Sequence, residues 1–223
     1  MRNRTPRSLL TRTYTLLITG AAGFIGSHFV KIARKNGYRV ICLDNLCRSS
    51  PETLLGHPCV QIDLLDAGAL DSLFQQHAID AVVHFAGFID VGESLIRPDL
   101  YYKNNFIATL HLLEVMRKHN VRKILFSSSA AIFGLPETPT LKEEHPRQPI
   151  HPYGRTKWMC EQLLQDYYRA DQMSFCALRY FNAAGGDSAG QIPYRQRRPS
   201  NLIPLALLSL QQQRPFTIFG TDY

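Results

Sequence analysis

The sequence predicts an α/β fold built on a doubly wound parallel sheet. Short apolar or β-branched runs alternate with longer stretches whose apolar residues recur every three or four positions, as in strands joined by crossover helices. The first run, TLLIT, leads directly into GAAGFIG, a glycine-rich turn of the Rossmann type. After Phe181 the alternation stops, so we expect one sheet domain followed by the beginning of a smaller second domain.

Six strands and four long helices are predicted from this alternation. The strand candidates are 15–19, 39–43, 59–62, 81–85, 123–128 and 175–180. The helix candidates are 24–36, 66–77, 100–120 and 153–169. The first helix ends before Gly37, a residue type that favours helix C-caps. We expect a basic, disordered tail at 1–13, the sheet domain at 14–185 and the start of an incomplete domain at 186–223.

The composition is that of an ordinary globular chain, with 223 residues of which 45% are hydrophobic. The most apolar stretch, 202–210, is far shorter than the roughly 20 residues of a membrane-spanning helix, so we expect a cytoplasmic protein without a membrane partner. The formal charge is 25 − 18 = +7, and no acidic residue precedes Asp44. Because the excess of basic residues is concentrated in the N-terminal tail and around Arg195, Arg197 and Arg198, we expect no nucleic-acid partner.

Cysteine and histidine usage gives no sign of a metal site. The five cysteines are an odd number, fall mostly in apolar segments and lack CxxC spacing, as is typical of reduced thiols in a cytosolic protein. His84 lies in the apolar run AVVHFAG and is expected to be a hydrogen-bonded interior residue.

The turn GAAGFIG places Gly20, Gly23 and Gly26 between a strand and a helix. Glycines there permit a tight turn and close approach of the backbone to a pyrophosphate, which the helix N-terminus attracts. The GxxGxxG spacing resembles the extended short-chain dehydrogenase/reductase superfamily. Asp44, at the end of the second strand, can bind the adenosine ribose and repel a 2′-phosphate, which favours NAD over NADP. Arg48 weakens this argument, since a guanidinium could receive that phosphate.

A second group of residues suits acid–base chemistry. Tyr153 and Lys157 form a YxxxK pair, which a helix places one turn apart on the same face. Tyrosine, with an ordinary pKa of about 10, is a poor base until a neighbouring ammonium stabilises its phenolate. Ser129 follows the fifth strand at the carboxyl edge, where ligands of such folds bind. Asp63, after the third strand, is similarly placed for the adenine.

The chain resembles the UDP-glucose 4-epimerase family from about residue 15 to its end. The motifs that carry the resemblance are DNL at 44–46, HFAG at 84–87, VGES at 91–94, YY at 101–102, NN at 104–105, SSSA at 127–130, RYFNAAG at 179–185, NLIP at 201–204 and FGTDY at 219–223. The resemblance implies an NAD-dependent isomerase that oxidises a UDP-sugar transiently at C4. Tyr153 would take the 4-hydroxyl proton, and the keto sugar would rotate and receive the hydride on its other face. It also implies a homodimer.

The resemblance assigns roles to individual residues. Catalysis is implied for Tyr153, Lys157 and Ser129. Cofactor contacts are implied for Gly20, Gly23, Phe24, Ile25, Gly26, Asp44, Asn45, Ser49, Asp63, Leu64, Phe85, Ala86, Gly87, Asn104, Tyr153, Lys157 and Phe181. Substrate contacts are implied for Ser129, Tyr153, Asn182, Asn201, Leu202, Thr217, Ile218 and Phe219.

Departures from the family leave alternatives open. Ile89 stands where relatives often carry a lysine. The segment around Arg195 is basic where relatives tend to be acidic, and its arginines either lie in a solvated loop or bind the pyrophosphate. The family's later motifs for the diphosphate and hexose are absent, so we expect a C-terminally truncated chain. The alternatives are an inactive NAD-binding remnant or an epimerase acting on UDP-xylose or a UDP-N-acetylhexosamine. A nucleotide-sugar 4,6-dehydratase is disfavoured, because serine and alanine occupy the places of its Asp-Glu pair.

Overall fold

The computed structural model describes residues 12–136, 138, 140–194 and 201–217. Within these residues six strands occur: β1 Thr15–Thr19, β2 Arg39–Leu43, β3 Cys59–Val60, β4 Ala81–His84, β5 Lys123–Ser129 and β6 Ser174–Tyr180. They form one sheet in the order β3-β2-β1-β4-β5-β6, and every neighbouring pair is parallel. The predicted doubly wound, Rossmann-type sheet is therefore confirmed.

Seven α-helices connect or follow these strands in the described part of the chain: α1 Phe24–Lys35, α2 Ala67–Gln76, α3 Val91–Ile96, α4 Pro98–Tyr101, α5 Ala108–Lys118, α6 Pro152–Asp171 and α7 Leu202–Gln211. The predicted helix 100–120 is wrong as one continuous element. A π-helical turn, Tyr102–Ile107, separates α4 from α5. Such turns often mark functional sites, and this one carries the buried Asn105.

The strand order reverses between β1 and β4. In open α/β sheets the crevice at this switch point, outside the carboxyl ends of the strands, is where ligands bind. Thr19 pairs with Leu43 on one side and with His84 on the other, so β1, β2 and β4 end level with one another. The turns that follow these strands consequently meet above one edge of the sheet.

Both faces of the sheet are covered. Leu17 belongs to a core that includes residues of α2, α5 and α6, whereas Leu16 and Ile18 face the opposite core with Val30 of α1. Leu17 and Ile18 are completely buried, which explains the uninterrupted apolar run of β1. Each such side chain stabilises the fold by about 1.5–3 kcal/mol, so the central strand is a rigid support for the turn that follows it.

The region after β6 packs differently. Asp187 forms an ion pair with Lys31 of α1 at 2.6 Å, which ties the segment after β6 to the sheet domain. No residue of α7 is buried, and its Leu202 and Leu210 are 67% and 77% exposed. The division at residues 185 and 186 stays a prediction. The basic tail up to residue 11 and Arg195, Arg197 and Arg198 lie outside the described residues.

The described residues include no helix that is both long and apolar enough to cross a membrane. Across the same ranges, no group of three or more His, Cys, Asp or Glu side chains is placed to hold a metal ion. All five cysteines are free thiols.

Candidate active site

The glycine turn joins β1 to α1 at the switch point. Gly20 has φ +67°, and a Cβ there would lie 2.5 Å from the amide nitrogen of Ala86. A Cβ on Gly26 would lie 2.1 Å from the Gly20 carbonyl oxygen. Glycine is therefore required at both positions, because the first turn of α1 packs directly onto the loop. Within the described chain no side chain caps α1, so its first N–H groups are available to an anion.

Asp44 lies beside this turn at the end of β2. Its Oδ2 accepts the amide N–H of Ala22 at 3.0 Å, and its Oδ1 accepts Leu46 N–H and the Ser49 hydroxyl, each at 2.8 Å. The carboxylate is only 8% exposed as a residue and is held in one orientation. This fixed negative charge suits the ribose-binding role that the sequence predicts.

Asp63 and Asn45 extend this polar edge to the end of β3. Asn45 Nδ2 donates to Asp63 Oδ2 at 2.9 Å, and Asp63 Oδ1 accepts Leu65 N–H at 2.9 Å. The remaining predicted cofactor residues of this half lie at the same edge: Phe24 and Ile25 in the first turn of α1, Leu64 after β3, and Phe85 and Ala86 after β4. The structure thus brings most of the predicted adenosine and pyrophosphate residues together, while their roles stay predictions.

Asn105 is a site residue that the sequence reasoning did not single out. Its Oδ1 accepts the N–H of Phe88 at 2.7 Å, and its Nδ2 donates to Phe88 O at 3.0 Å and Thr156 Oγ1 at 3.2 Å. It therefore clamps the turn after β4 to α6. The predicted Asn104 instead bonds its own helix, at Leu100 O. An amide in an apolar helical stretch was the available signal for Asn105.

Lys157 reaches the same place from α6. Its Nζ donates to the carbonyl of Ser127 at 2.8 Å and lies 3.4 Å from where a Cβ on Gly87 would be. The residue is 3% exposed, and this burial lowers the pKa of Lys157 to about 8. Gly87 thus leaves room for the ammonium beside the turn after β4.

Tyr153 begins α6 one turn before Lys157. Burial raises the pKa of the Tyr153 phenol, while its hydrogen bond with the Ser129 hydroxyl acts in the opposite direction. Ser129 Oγ also accepts Ala131 N–H at 3.1 Å, which orients the hydroxyl. The predicted catalytic group of Ser129, Tyr153 and Lys157 is therefore assembled at the carboxyl end of β5.

Glu161 is a second residue that the sequence reasoning missed. It is 6% exposed on α6 and accepts the Ser128 hydroxyl at 2.5 Å. Arg179 of β6 donates to both of its oxygens, from Nε at 3.1 Å and Nη2 at 2.8 Å. Each of the three serines at 127–129 therefore contacts α6. Glu161 helps to fix the position of α6 on β5 and β6, because it binds one residue of each strand.

His84 is confirmed as a satisfied interior residue. Its Nδ1 lies 2.6 Å from Thr19 Oγ1 and its Nε2 lies 2.9 Å from Thr109 Oγ1. Thr109 donates its only hydroxyl proton to Asn105 O, so His84 Nε2 must carry the proton that Thr109 accepts. Burial, reinforced by Lys157, lowers the pKa of His84 to about 3, so the ring stays neutral and structural.

The predicted substrate residues are not assembled in the same way. Phe181 is 72% exposed, and Asn182, Asn201, Leu202 and Thr217 are exposed as well. In the parts of the chain that the structure describes, no hydrogen bond links Asn182, Asn201 or Thr217 to Tyr153. Ile218 and Phe219 lie outside the described residues. The structure therefore places the predicted cofactor and catalytic residues at one edge of the sheet, whereas the predicted substrate residues that it describes are exposed.

Lys157→Met is expected to change how stability depends on pH. The folded pKa of Lys157 is about 8, below the unfolded value of about 10.4, so the native state releases its proton first as pH rises. Burying the charged form destabilises the wild type below about pH 8, and this penalty disappears as pH approaches about 10. We expect the stability of Lys157→Met relative to the wild type to fall by roughly 2 kcal/mol across that interval.

Urea unfolding of both proteins at a series of pH values measures this difference. The raised pKa of Cys42 affects both proteins equally and cancels, whereas the charge of Lys157 lowers the pKa of Cys160, so both proteins are compared in a Cys160→Ala background. If the difference in unfolding free energy between Lys157→Met and the wild type did not change with pH, a buried Lys157 with a lowered pKa would be contradicted.

The fold and the site together define a class of protein. A switch-point glycine turn, a fixed aspartate after β2 and a Ser-Tyr-Lys group at β5 and α6 are the parts of a dinucleotide-binding domain of the extended short-chain dehydrogenase/reductase type. The chain belongs to the NAD dependent epimerase/dehydratase family, which it matches over residues 16–222.

Similar proteins of known sequence and structure agree with this family. The chain is 42% identical over 219 residues to a UDP-glucose 4-epimerase of Bacillus subtilis, covering 93% of this chain and 65% of that protein. It is 40% identical to a UDP-glucose 4-epimerase of Rhizobium leguminosarum bv. trifolii, covering 94% of this chain and 64% of the relative. The chain thus spans slightly less than two thirds of the length of these curated relatives.

Two solved structures show the same arrangement. The UDP-glucose 4-epimerase of Brucella ovis in complex with NAD has a TM-score of 0.87 and 37% identity, covering 90% of this chain and 62% of that one. The enzyme of Bifidobacterium longum in complex with NAD+ and UDP has a TM-score of 0.83 and 40% identity, covering 88% of this chain and 62% of that one.

Proposed function

We propose that this chain is the NAD-binding and catalytic part of a UDP-hexose 4-epimerase, an isomerase that interconverts UDP-glucose and UDP-galactose. The observation that carries the proposal is the Ser129, Tyr153 and Lys157 group, which lies at the same sheet edge as the glycine turn and Asp44. The family match and the relatives, which are UDP-glucose 4-epimerases, support the choice of reaction.

NAD fits the residues present. Cβ atoms on Gly20 or Gly26 would overlap backbone atoms of the protein, so glycine keeps the turn tight, and the first N–H groups of α1, which no side chain of the described residues caps, suit a pyrophosphate. Asp44 offers a fixed carboxylate to the ribose hydroxyls, and Lys157 holds an ammonium next to Gly87 for the nicotinamide side. When bound, NAD supplies the reversible uptake of a hydride from sugar C4, which makes the overall reaction an isomerisation without net redox change.

Tyr153 is the proton-transfer residue of the proposed mechanism. Its phenolate form takes the proton of the sugar 4-hydroxyl as the C4–H bond breaks, and the resulting phenol returns that proton when the 4-keto sugar is reduced. Ser129 donates to or accepts from the same hydroxyl and orients it. Lys157, one helical turn from Tyr153, supplies the positive charge that stabilises the phenolate. Between the two half-reactions the keto sugar must turn over so that its other face receives the hydride.

Related reactions are less well supported. Epimerases in solved structures include a UDP-Glc/GlcNAc enzyme of Campylobacter jejuni at 39% identity and a TM-score of 0.72, so an N-acetylated UDP-hexose is the closest alternative substrate. A loss of activity with retained NAD binding is the other alternative, and the exposed Phe181 and Asn182 favour it. A 4,6-dehydratase would need acidic residues after the first serine of SSSA, and they are absent from the sequence.

Assembly and location belong to the same proposal. The resemblance supports a homodimer formed through the helices at 100–120 and 153–169. The five free thiols support a reducing compartment, the cytoplasm.

The proposal is tested by purifying the chain, counting its bound NAD and assaying conversion of UDP-galactose to UDP-glucose. We expect one NAD per chain and turnover without added oxidant. NAD binding without turnover for UDP-galactose or UDP-N-acetylgalactosamine would support the inactive alternative instead, and a chain that binds no NAD would contradict the function altogether.

A further inference from the structure

Arg48 occupies an unusual place for a basic residue. It follows β2 in the loop that also carries Asp44 and Ser49, and the Ser49 hydroxyl donates to Asp44. In Rossmann domains an arginine in this loop is suited to receive the 2′-phosphate of NADP, because its planar guanidinium binds phosphate with two parallel hydrogen bonds. The loop therefore contains both a carboxylate that selects against the phosphate and a cation that would attract it.

The guanidinium of Arg48 contacts residues that follow β4. Its Nη1 and Nη2 donate to the two carboxylate oxygens of Glu93 on α3, at 2.7 and 2.8 Å. Its flat face lies on the Phe88 ring, with Cζ 3.5 Å from the ring centroid. A bidentate pair stacked on an aromatic ring is a strong and geometrically specific way to hold an arginine.

Glu93 is itself held from the other side. Tyr101, which is completely buried, donates its hydroxyl to Glu93 Oε2 at 2.8 Å. The N–H of Glu93 donates to Asp90 Oδ1 at 2.9 Å at the start of α3. The Glu93 carboxylate therefore has a second partner, Tyr101, besides Arg48.

The bridge also has a defined position relative to the cofactor edge. Arg48 comes from the loop after β2 and Glu93 from the helix after β4, and β1 lies between these strands. The ion pair therefore joins two segments that follow the strands on either side of β1. Its side chains are 42% and 32% exposed, so the arginine has room to leave when its partner is neutral.

We propose that Glu93 sets the dinucleotide preference of this chain by holding Arg48 in the ion pair with α3, so that its guanidinium is not available to a ribose 2′-phosphate beside Asp44. With Arg48 held, the ribose site is governed by the Asp44 carboxylate and prefers the free hydroxyl of NAD. With Arg48 released, a guanidinium next to the Ser49 hydroxyl becomes available to a 2′-phosphate. This inference rests on the proposed function in requiring that the edge binds a nicotinamide dinucleotide.

Direct binding of NAD and NADP tests it on the full chain freed of bound nucleotide, with Glu93→Gln, Arg48→Ala and the double variant. Glutamine keeps the size of Glu93 and a partner for Tyr101 but loses the charge that holds Arg48. We expect Glu93→Gln to tighten NADP binding about tenfold, the value of one charge-assisted contact, with NAD binding changed much less. The double variant should lose this gain, because it needs Arg48.

Controls separate this effect from general damage. Asp99→Asn breaks another ion pair, Arg97–Asp99, whose side chains are 56% and 52% exposed, and should leave both affinities unchanged. Glu93→Ala, which also removes the charge, serves in place of Glu93→Gln should the latter unfold. An unchanged ratio of NADP to NAD affinity in the Glu93 variant, a gain in NADP affinity that persists without Arg48, or a wild type that binds both dinucleotides equally would overturn the proposal. A wild type that binds neither dinucleotide would instead overturn the proposed function.

Discussion

Tyr153→Phe is expected to lower epimerase turnover about a thousandfold, within the range for loss of a general acid–base group. The substitution removes one oxygen from a partly buried ring whose packing partners remain, including Tyr101, whose ring centroid is 6.4 Å away. The proton of the sugar 4-hydroxyl then has no acceptor at the catalytic group, because Ser129 is a far weaker base. The measurement is the rate of UDP-galactose conversion together with the NAD content of the variant.

The matched control is Tyr168→Phe. Tyr168 lies on the same helix, α6, but is 49% exposed and packs on Phe175 at the far end from the site. It should keep wild-type turnover. If Tyr153→Phe retained more than about a tenth of the activity, proton transfer would have to be assigned to another residue.

Gly26→Ala is expected to damage both stability and NAD binding. Its Cβ would be 2.1 Å from the Gly20 carbonyl oxygen, a backbone atom that cannot move without shifting the end of β1. We expect a loss of about 3 kcal/mol in unfolding free energy, since overpacking at a rigid site costs this much. NAD affinity should fall by more than about tenfold, because the shifted turn no longer aims its N–H groups at the pyrophosphate.

Two glycine variants bracket this result in urea unfolding and NAD titration. Gly23→Ala, whose Cβ would be 3.2 Å from the same oxygen, should weaken NAD binding with a smaller stability loss. Gly68→Ala in α2 meets only Asp66 Oδ1 at 3.5 Å and should stabilise the chain by about 0.5–1 kcal/mol through helix propensity. A Gly26→Ala protein as stable as wild type would show that the turn and α1 are not packed as described.

The strands could be predicted closely because each is a short, strongly apolar run. β1 and β2 have the predicted bounds, and β5 continues one residue further, through Ser129. β3 is two residues instead of four, since it pairs with β2 at only two positions at the sheet edge. The π-helical turn could not be predicted, because the Asn105 side chain that accompanies it bonds Phe88 and Thr156, which are distant in sequence.

Site residues could be predicted where they belong to a short sequence motif. They could not be predicted where they are defined by ion pairs between separate helices, strands and loops. Gly20, Tyr153 and Lys157 are recognisable from spacing alone. Glu161 bonds Arg179 and Arg48 bonds Glu93 across 18 and 45 positions, and neither pair follows from periodicity. The sequence even suggested Arg48 as a phosphate ligand, whereas its partner on α3 is visible only in the fold.

The most direct test of the central claim uses UDP-galactose carrying deuterium at C4 and the purified chain with its bound NAD. The proposed reaction removes that hydrogen as hydride and returns it to the same carbon, so the UDP-glucose formed should retain the deuterium fully at C4, with no incorporation from solvent. Product that has lost the label to water, or no product from a chain that holds NAD, would contradict the assignment of a 4-epimerase that acts through a 4-keto sugar.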